Sequence, residues 1–113
     1  MSKSFKDITK HVSKHMGELS GEIPETMKAF SGLAKNASAE GVLDEKTKEL
    51  IALALAVGSR CDACIGFHAK ALVRLGATRA EVSETLGVCV YMGGGPSMMY
   101  AAEAIAAFDE FAN

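Results

Sequence analysis

At 113 residues, with 49% hydrophobic and 23% charged side chains, the chain suits one globular domain over residues 1–113, large enough to bury a core and too apolar for disorder. A formal charge of -2 provides no cationic excess for nucleic acid or an anionic membrane surface. No run reaches the roughly 18 apolar residues of a spanning helix, and Met1-Ser2-Lys3-Ser4-Phe5-Lys6 lacks the apolar stretch of a secretory signal.

An odd count of three cysteines argues against a structural disulfide framework and fits a reducing, cytoplasmic setting. Alanine is abundant, proline scarce and β-branched runs absent, which favours helix nearly everywhere. The first helix is expected over about residues 4–19, where Phe5, Ile8, Val12, Met16 and Leu19 recur at helical spacing. His15 lies near that stripe and His11 beside it, as packing or surface residues. Pro24 opens a second helix with Met27, Phe30, Leu33, Ala34 and Ala37 on one face. Gly41 suits a left-handed exit position.

Asp44 is an expected N-cap for a third helix. The run Leu50-Ile51-Ala52-Leu53-Ala54-Leu55-Ala56-Val57 is apolar on all sides, so this helix is expected to be central and buried. Glu49 sits where the charged first turns meet that run; with Lys46 three residues earlier, its local reading is a solvated ion pair. Gly58 and Ser59 break the pattern. A fourth helix is expected from near Cys61 to Leu75, stopped by Gly76.

Thr78-Arg79-Ala80-Glu81 is a capping box for a fifth helix, with Val82, Leu86, Cys89 and Val90 on one face; Cys89 there reads as a core residue. Gly93-Gly94-Gly95 ends it. Such a turn can bind an anion through backbone N–H groups, but more often it is only a helix break. Pro96 starts a last helix with Met98, Ala101, Ala102, Ile105 and Phe108 turned inward. The fold class is therefore all-α, about six helices in a single compact bundle. Its generous apolar stripes suit self-association into a homo-oligomer.

The chemistry concentrates in Cys61-Asp62-Ala63-Cys64-Ile65-Gly66-Phe67-His68. On a helix, Cys61, Cys64 and His68 fall within roughly 60° of one another, so two thiols and an imidazole share a face. That face continues into Ala71, Leu72 and Leu75, so the site is expected half-buried against another helix. A thiol reacts as thiolate, with a free pKa of about 8.5. The helix N-terminus and His68 both favour the thiolate, whereas burial opposes it. Such a pair can attack a peroxide or a disulfide, resolve the sulfenic acid or mixed disulfide internally, and be restored by an external dithiol. The N-terminal position favours Cys61 as the attacking thiol; proximity to His68 favours Cys64. The competing readings are a zinc-stabilised module, with Cys61, Cys64 and His68 joined by Glu49, His11 or His15, and a thiol-bearing module without turnover.

Glu49, eleven residues, C-x-x-C, three residues and His68, with the flanks Glu49-Leu50-Ile51-Ala52-Leu53-Ala54-Leu55-Ala56-Val57 and Phe67-His68-Ala69-Lys70-Ala71-Leu72 and the later Gly-Gly-Gly-Pro, resembles the alkylhydroperoxidase D-like branch of the carboxymuconolactone decarboxylase family. The resemblance covers about residues 43–108. It implies an all-helical fold, trimers or hexamers, and peroxide reduction or thiol–disulfide exchange with no cofactor or metal. Its partners would be a small peroxide or disulfide substrate and an external dithiol reductant. It also implies that Cys64 attacks, Cys61 resolves, and His68 with Glu49 relays protons. Family members with peroxidase activity carry a second histidine just before the second cysteine, where this chain has Ala63. The decarboxylase branch generally lacks the cysteine pair, so lactone decarboxylation is not expected.

Overall fold

A computed structural model describes residues 3–113; Met1 and Ser2, part of the N-terminal stretch read for a signal, lie outside the described residues. These residues form five helices and no strand: α1 (Phe5–Glu22), α2 (Pro24–Ser38), α3 (Glu45–Gly58), α4 (Asp62–Arg74) and α5 (Arg79–Ala112). None of them is long and apolar enough to cross a membrane.

Each boundary has a local cause. Ser4 caps α1, its hydroxyl accepting from Asp7 N at 3.2 Å. The Glu110 carboxylate, from the far end of the chain, accepts from Phe5 N at 2.7 Å and Ser4 Oγ at 2.8 Å. It thereby satisfies a free N–H of α1 and ties it to α5. Pro24 opens α2. Asp44 caps α3, accepting from Thr47 N at 2.7 Å. The capping box closes as expected: Glu81 N donates to Thr78 Oγ1 at 3.1 Å, and Thr78 N to Glu81 Oε1 at 2.8 Å.

Two helices end in the same hydrogen-bond pattern. After α4, Gly76 N bonds Val73 O and Ala77 N bonds Leu72 O, with Gly76 at φ 76°. After α3, Arg60 N bonds Val57 O and Cys61 N bonds Ala56 O, with Arg60 at φ 56°. An arginine thus occupies a left-handed position that normally takes glycine. Gly41, expected to be left-handed, has no positive φ; among the described glycines only Gly76 and Gly94 do.

The expected fifth and sixth helices meet without an intervening loop, which makes them two arms of α5. Gly94 alone leaves helical geometry, at φ 69° and ψ -152°, a region open essentially to glycine. The arms fold back on each other: Arg79 Nε lies 2.9 Å from Asp109 Oδ1, whereas 30 residues of straight helix would span roughly 45 Å.

The core is built from Leu53, Ala56 and Val57 of α3, Ile65, Ala69 and Leu72 of α4, and both arms of α5, sealed by Phe5 of α1. Full burial of each large side chain contributes about 1.5–3 kcal/mol. The second arm of α5 turns Ala101, Ala104, Ala107 and Phe108 inward, while Met98 and Ala102, expected inside, are exposed. Small residues permit close approach of the neighbouring helix, so the alanine stripe sets the phase of this arm. Helix α3 is less enclosed than its composition suggests, since Ile51 and Leu55 are open on one side. The apolar face of α2 has no cover in the single chain: Phe30 is 66% and Leu33 63% exposed.

Candidate active site

Helix α4 begins at the cysteine motif. Cys61 is its N-cap, and the sulfur accepts from Cys64 N at 3.2 Å, as a serine hydroxyl would. Cys61 and Cys64 are joined in a disulfide, with Cα atoms 5.2 Å apart. One turn on from Cys64, His68 shares its face.

The partner of His68 comes from α3. Its Nδ1 lies 2.7 Å from Glu49 Oε2, an ion-pair distance between side chains 34% and 12% exposed. An ionised carboxylate can only accept, so Nδ1 is the donor of this bond, and in the neutral tautomer it fixes, Nε2 is the free acceptor. The local reading of Glu49 as the partner of Lys46 does not hold. Lys46 Nζ instead meets Glu81 Oε2 at 2.8 Å, joining the starts of α3 and α5. Cys64 and His68 together line a cavity of about 270 Å³ against Ala52, Leu55, Ala56 and Ser59 of the α3 stretch. The face is therefore half-buried against another helix, as its stripe implies.

The third cysteine differs in kind. Cys89 is buried, and its sulfur lies 3.6 Å from Thr85 O and 3.8 Å from Ala54 O, either of which can accept its one S–H. Burial pushes its thiol pKa up, which suits an inert core residue. His11 and His15 stack edge to face on exposed α1, ring centroids 4.7 Å apart, and His15 pairs with Glu18. A zinc site would need both sulfurs as thiolates and a fourth ligand. Here the sulfurs are bonded to each other, and no group of three or more His, Cys, Asp or Glu among the described residues is placed to hold a metal ion.

Two neighbours of the cysteine pair escaped the sequence reading. Asp62, the first residue of α4, pairs with Lys3 Nζ at 3.0 Å, while its Oδ1 is buried without a partner among the described residues. The hydrogen bond to Asp62 raises the Lys3 pKa, so the ammonium offsets the carboxylate beside Cys61. Arg60 precedes Cys61 in its left-handed conformation and forms no ion pair among the described residues. The signal for Arg60 was available: Gly58-Ser59-Arg60-Cys61 must reverse the chain between two helices with glycine two positions too early.

Comparison with known proteins places this geometry in a family. An uncharacterised protein of Cupriavidus necator is 41% identical over 109 residues, 96% of each chain. A crystal structure of a carboxymuconolactone decarboxylase family protein from Legionella pneumophila is 57% identical, with TM-score 0.95 over 96% of this chain and 97% of that one. A Thermotoga maritima member of the same family, described as a candidate for involvement in the antioxidative response, is 28% identical, with TM-score 0.81 over 90% of this chain and 87% of that one. The family's sequence pattern matches residues 24–107, and the chain belongs to the carboxymuconolactone decarboxylase family.

Proposed function

We propose that the protein is a cytoplasmic, thiol-dependent antioxidant enzyme. It reduces organic hydroperoxides, or disulfides, through Cys61 and Cys64. The carrying observation is the 2.7 Å contact between His68 Nδ1 and Glu49 Oε2, which brings together two residues 19 apart in sequence beside the cysteine pair. The antioxidative description of the Thermotoga relative supports the same reading.

In the reduced protein, His68 Nε2 takes the Cys64 proton, directly or through water, and Glu49 stabilises the imidazolium. The helix N-terminus favours the thiolate it leaves. Sulfur attacks the terminal peroxide oxygen, the O–O bond breaks, and the leaving alkoxide takes the proton from His68. The products are an alcohol and Cys64 sulfenic acid. The Cys61 thiol then attacks that sulfur; water leaves and the disulfide forms. An external dithiol returns two electrons and two protons. With a disulfide substrate, a mixed disulfide takes the place of the sulfenic acid.

Attack is assigned to Cys64 because it shares a cavity with His68, whereas Cys61 holds the cap position. The uncovered faces of α2 and of the α5 arms, with Phe30, Leu33, Tyr91 and Met99 exposed, suit a trimer or hexamer. Coupled peroxide-consumption assays with a dithiol donor test the reading. Cys64→Ser abolishes turnover, and Cys61→Ser permits one oxidation per chain without recycling. Unchanged consumption by Cys64→Ser refutes the scheme.

A further inference from the structure

The cavity holding Cys64 and His68 is the middle of a longer trough along α3. Toward α2 it runs into a space of about 400 Å³ walled by Ala34, Ala37 and Ile51; Ala52, Leu55 and His68 line both. In the other direction it meets a space of about 460 Å³ bounded by Val88, Met92 and Arg60; Leu55 and Ser59 line both. The walls are mainly apolar, with Lys48 and Glu49 at the α2 end, and Leu55, which borders all three spaces, is 66% exposed. The sulfur chemistry thus sits midway along an apolar channel.

Arg60 makes one end of that channel cationic. Its guanidinium has no carboxylate partner among the described residues, in a chain of net charge -2. Its backbone stands where glycine is cheaper, so packing convenience does not explain an arginine there. Lys48, at the α2 end beside Glu49, donates to Ala39 O at 2.6 Å, which leaves the Arg60 guanidinium at the other rim to complement an acyl chain bearing a carboxylate. We infer that the trough binds fatty-acid-like carboxylates, with the carboxylate on Arg60 and the chain along Leu55, and that the substrate class of the proposed enzyme is the hydroperoxy fatty acid. The substrate part rests on the reading above: the hydroperoxide becomes the hydroxy acid and water as the two thiols become the disulfide.

Dodecanoate is the probe, because it needs no turnover. Titration calorimetry and the rate of Cys64 alkylation by iodoacetamide are read on the full-length reduced protein. Dodecanoate binds and slows alkylation, while dodecanol binds at least about tenfold more weakly. Arg60→Gln, which keeps the backbone cost, weakens dodecanoate binding by about tenfold. Arg60→Gly gives the same loss in a chain expected to be more stable, so misfolding does not account for it. Equal binding of acid and alcohol, equal binding by wild type and Arg60→Gln, or no binding at all overturns the inference. The last is also the outcome if a second copy fills the trough. Cumene hydroperoxide turnover, measured on the same wild-type samples, reports separately on the redox reading. Turnover without dodecanoate binding removes the trough and keeps the enzyme; binding without turnover keeps the site and removes its peroxide substrate.

Discussion

Replacing Gly66 with alanine tests how α4 is held in place. An added Cβ would lie 2.6 Å from Thr9 Cγ2, 3.5 Å from Phe5 Cδ1 and 3.6 Å from Phe5 O. The first contact is a clash; the others are ordinary packing. Thr9 cannot swing aside freely, because it is 5% exposed and its hydroxyl donates to Phe5 O at 2.8 Å, which aims the methyl at α4. Helix propensity favours alanine over glycine by about 1 kcal/mol. Overpacking a tight crossing costs about 1–3 kcal/mol. The expected net result is destabilisation by about 1 kcal/mol. In a Thr9→Ser background the offending methyl is gone and the hydroxyl bond remains, so the same substitution should stabilise by up to about 1 kcal/mol. The coupling is then about 2 kcal/mol, well outside simple additivity. Urea unfolding of the four proteins at one protein concentration measures it. If Gly66→Ala stabilises the wild type, or costs the same in both backgrounds, the account of this crossing is wrong.

Arg60→Gly should stabilise the protein. Relief of a left-handed arginine is worth about 1–2 kcal/mol, offset by about 0.5–1 kcal/mol of extra glycine entropy in the unfolded chain. A thermal midpoint a few degrees higher is the expected reading, and a lower one contradicts the strain. Glu49→Gln keeps the side chain's size but removes the charge behind His68; peroxide-driven thiol loss should slow about a hundredfold, and a change below about twofold would remove Glu49 from the relay. For Glu110, burial opposes ionisation, but hydrogen bonds from Ser4, Phe5 N and Lys6 N hold its pKa below the ordinary value. Its contribution is complete above the ordinary glutamate range near 4.3 and is lost as pH falls through the lowered native pKa. The stability gap between wild type and Glu110→Gln should therefore be constant above about pH 5 and close below it; a gap that widens in acid contradicts the assignment.

The helix framework was legible because its signals are local. Asp44, the Thr78 and Glu81 box, Gly76 and the glycine run each act within a few residues, and each appears where expected. The shared face of Cys61, Cys64 and His68 follows from helical period alone. The pairing of Glu49 with His68 did not, because it depends on how α3 packs on α4; local reading gave Glu49 to Lys46, which tertiary packing turns toward Glu81. The inward face of the second α5 arm was read only in part, for a related reason: Ala101, Ile105 and Phe108 turn inward, but Met98 and Ala102 do not. Hydrophobicity favours Met98 over Ala104, yet a close helix crossing selects the smaller residue. The trough arises where exposed residues of α3 meet α2 and α5, so no single segment carries its pattern.

The most direct test of the central reading is thiol titration of the reduced protein before and after one equivalent of cumene hydroperoxide, with mass spectrometry of the peptide spanning Cys61 and Cys64. The account predicts rapid loss of two thiols per chain, a Cys61–Cys64 disulfide, an intact Cys89 thiol, and full recovery with a dithiol such as dihydrolipoamide. Both thiols surviving the hydroperoxide and a disulfide challenge alike would contradict it.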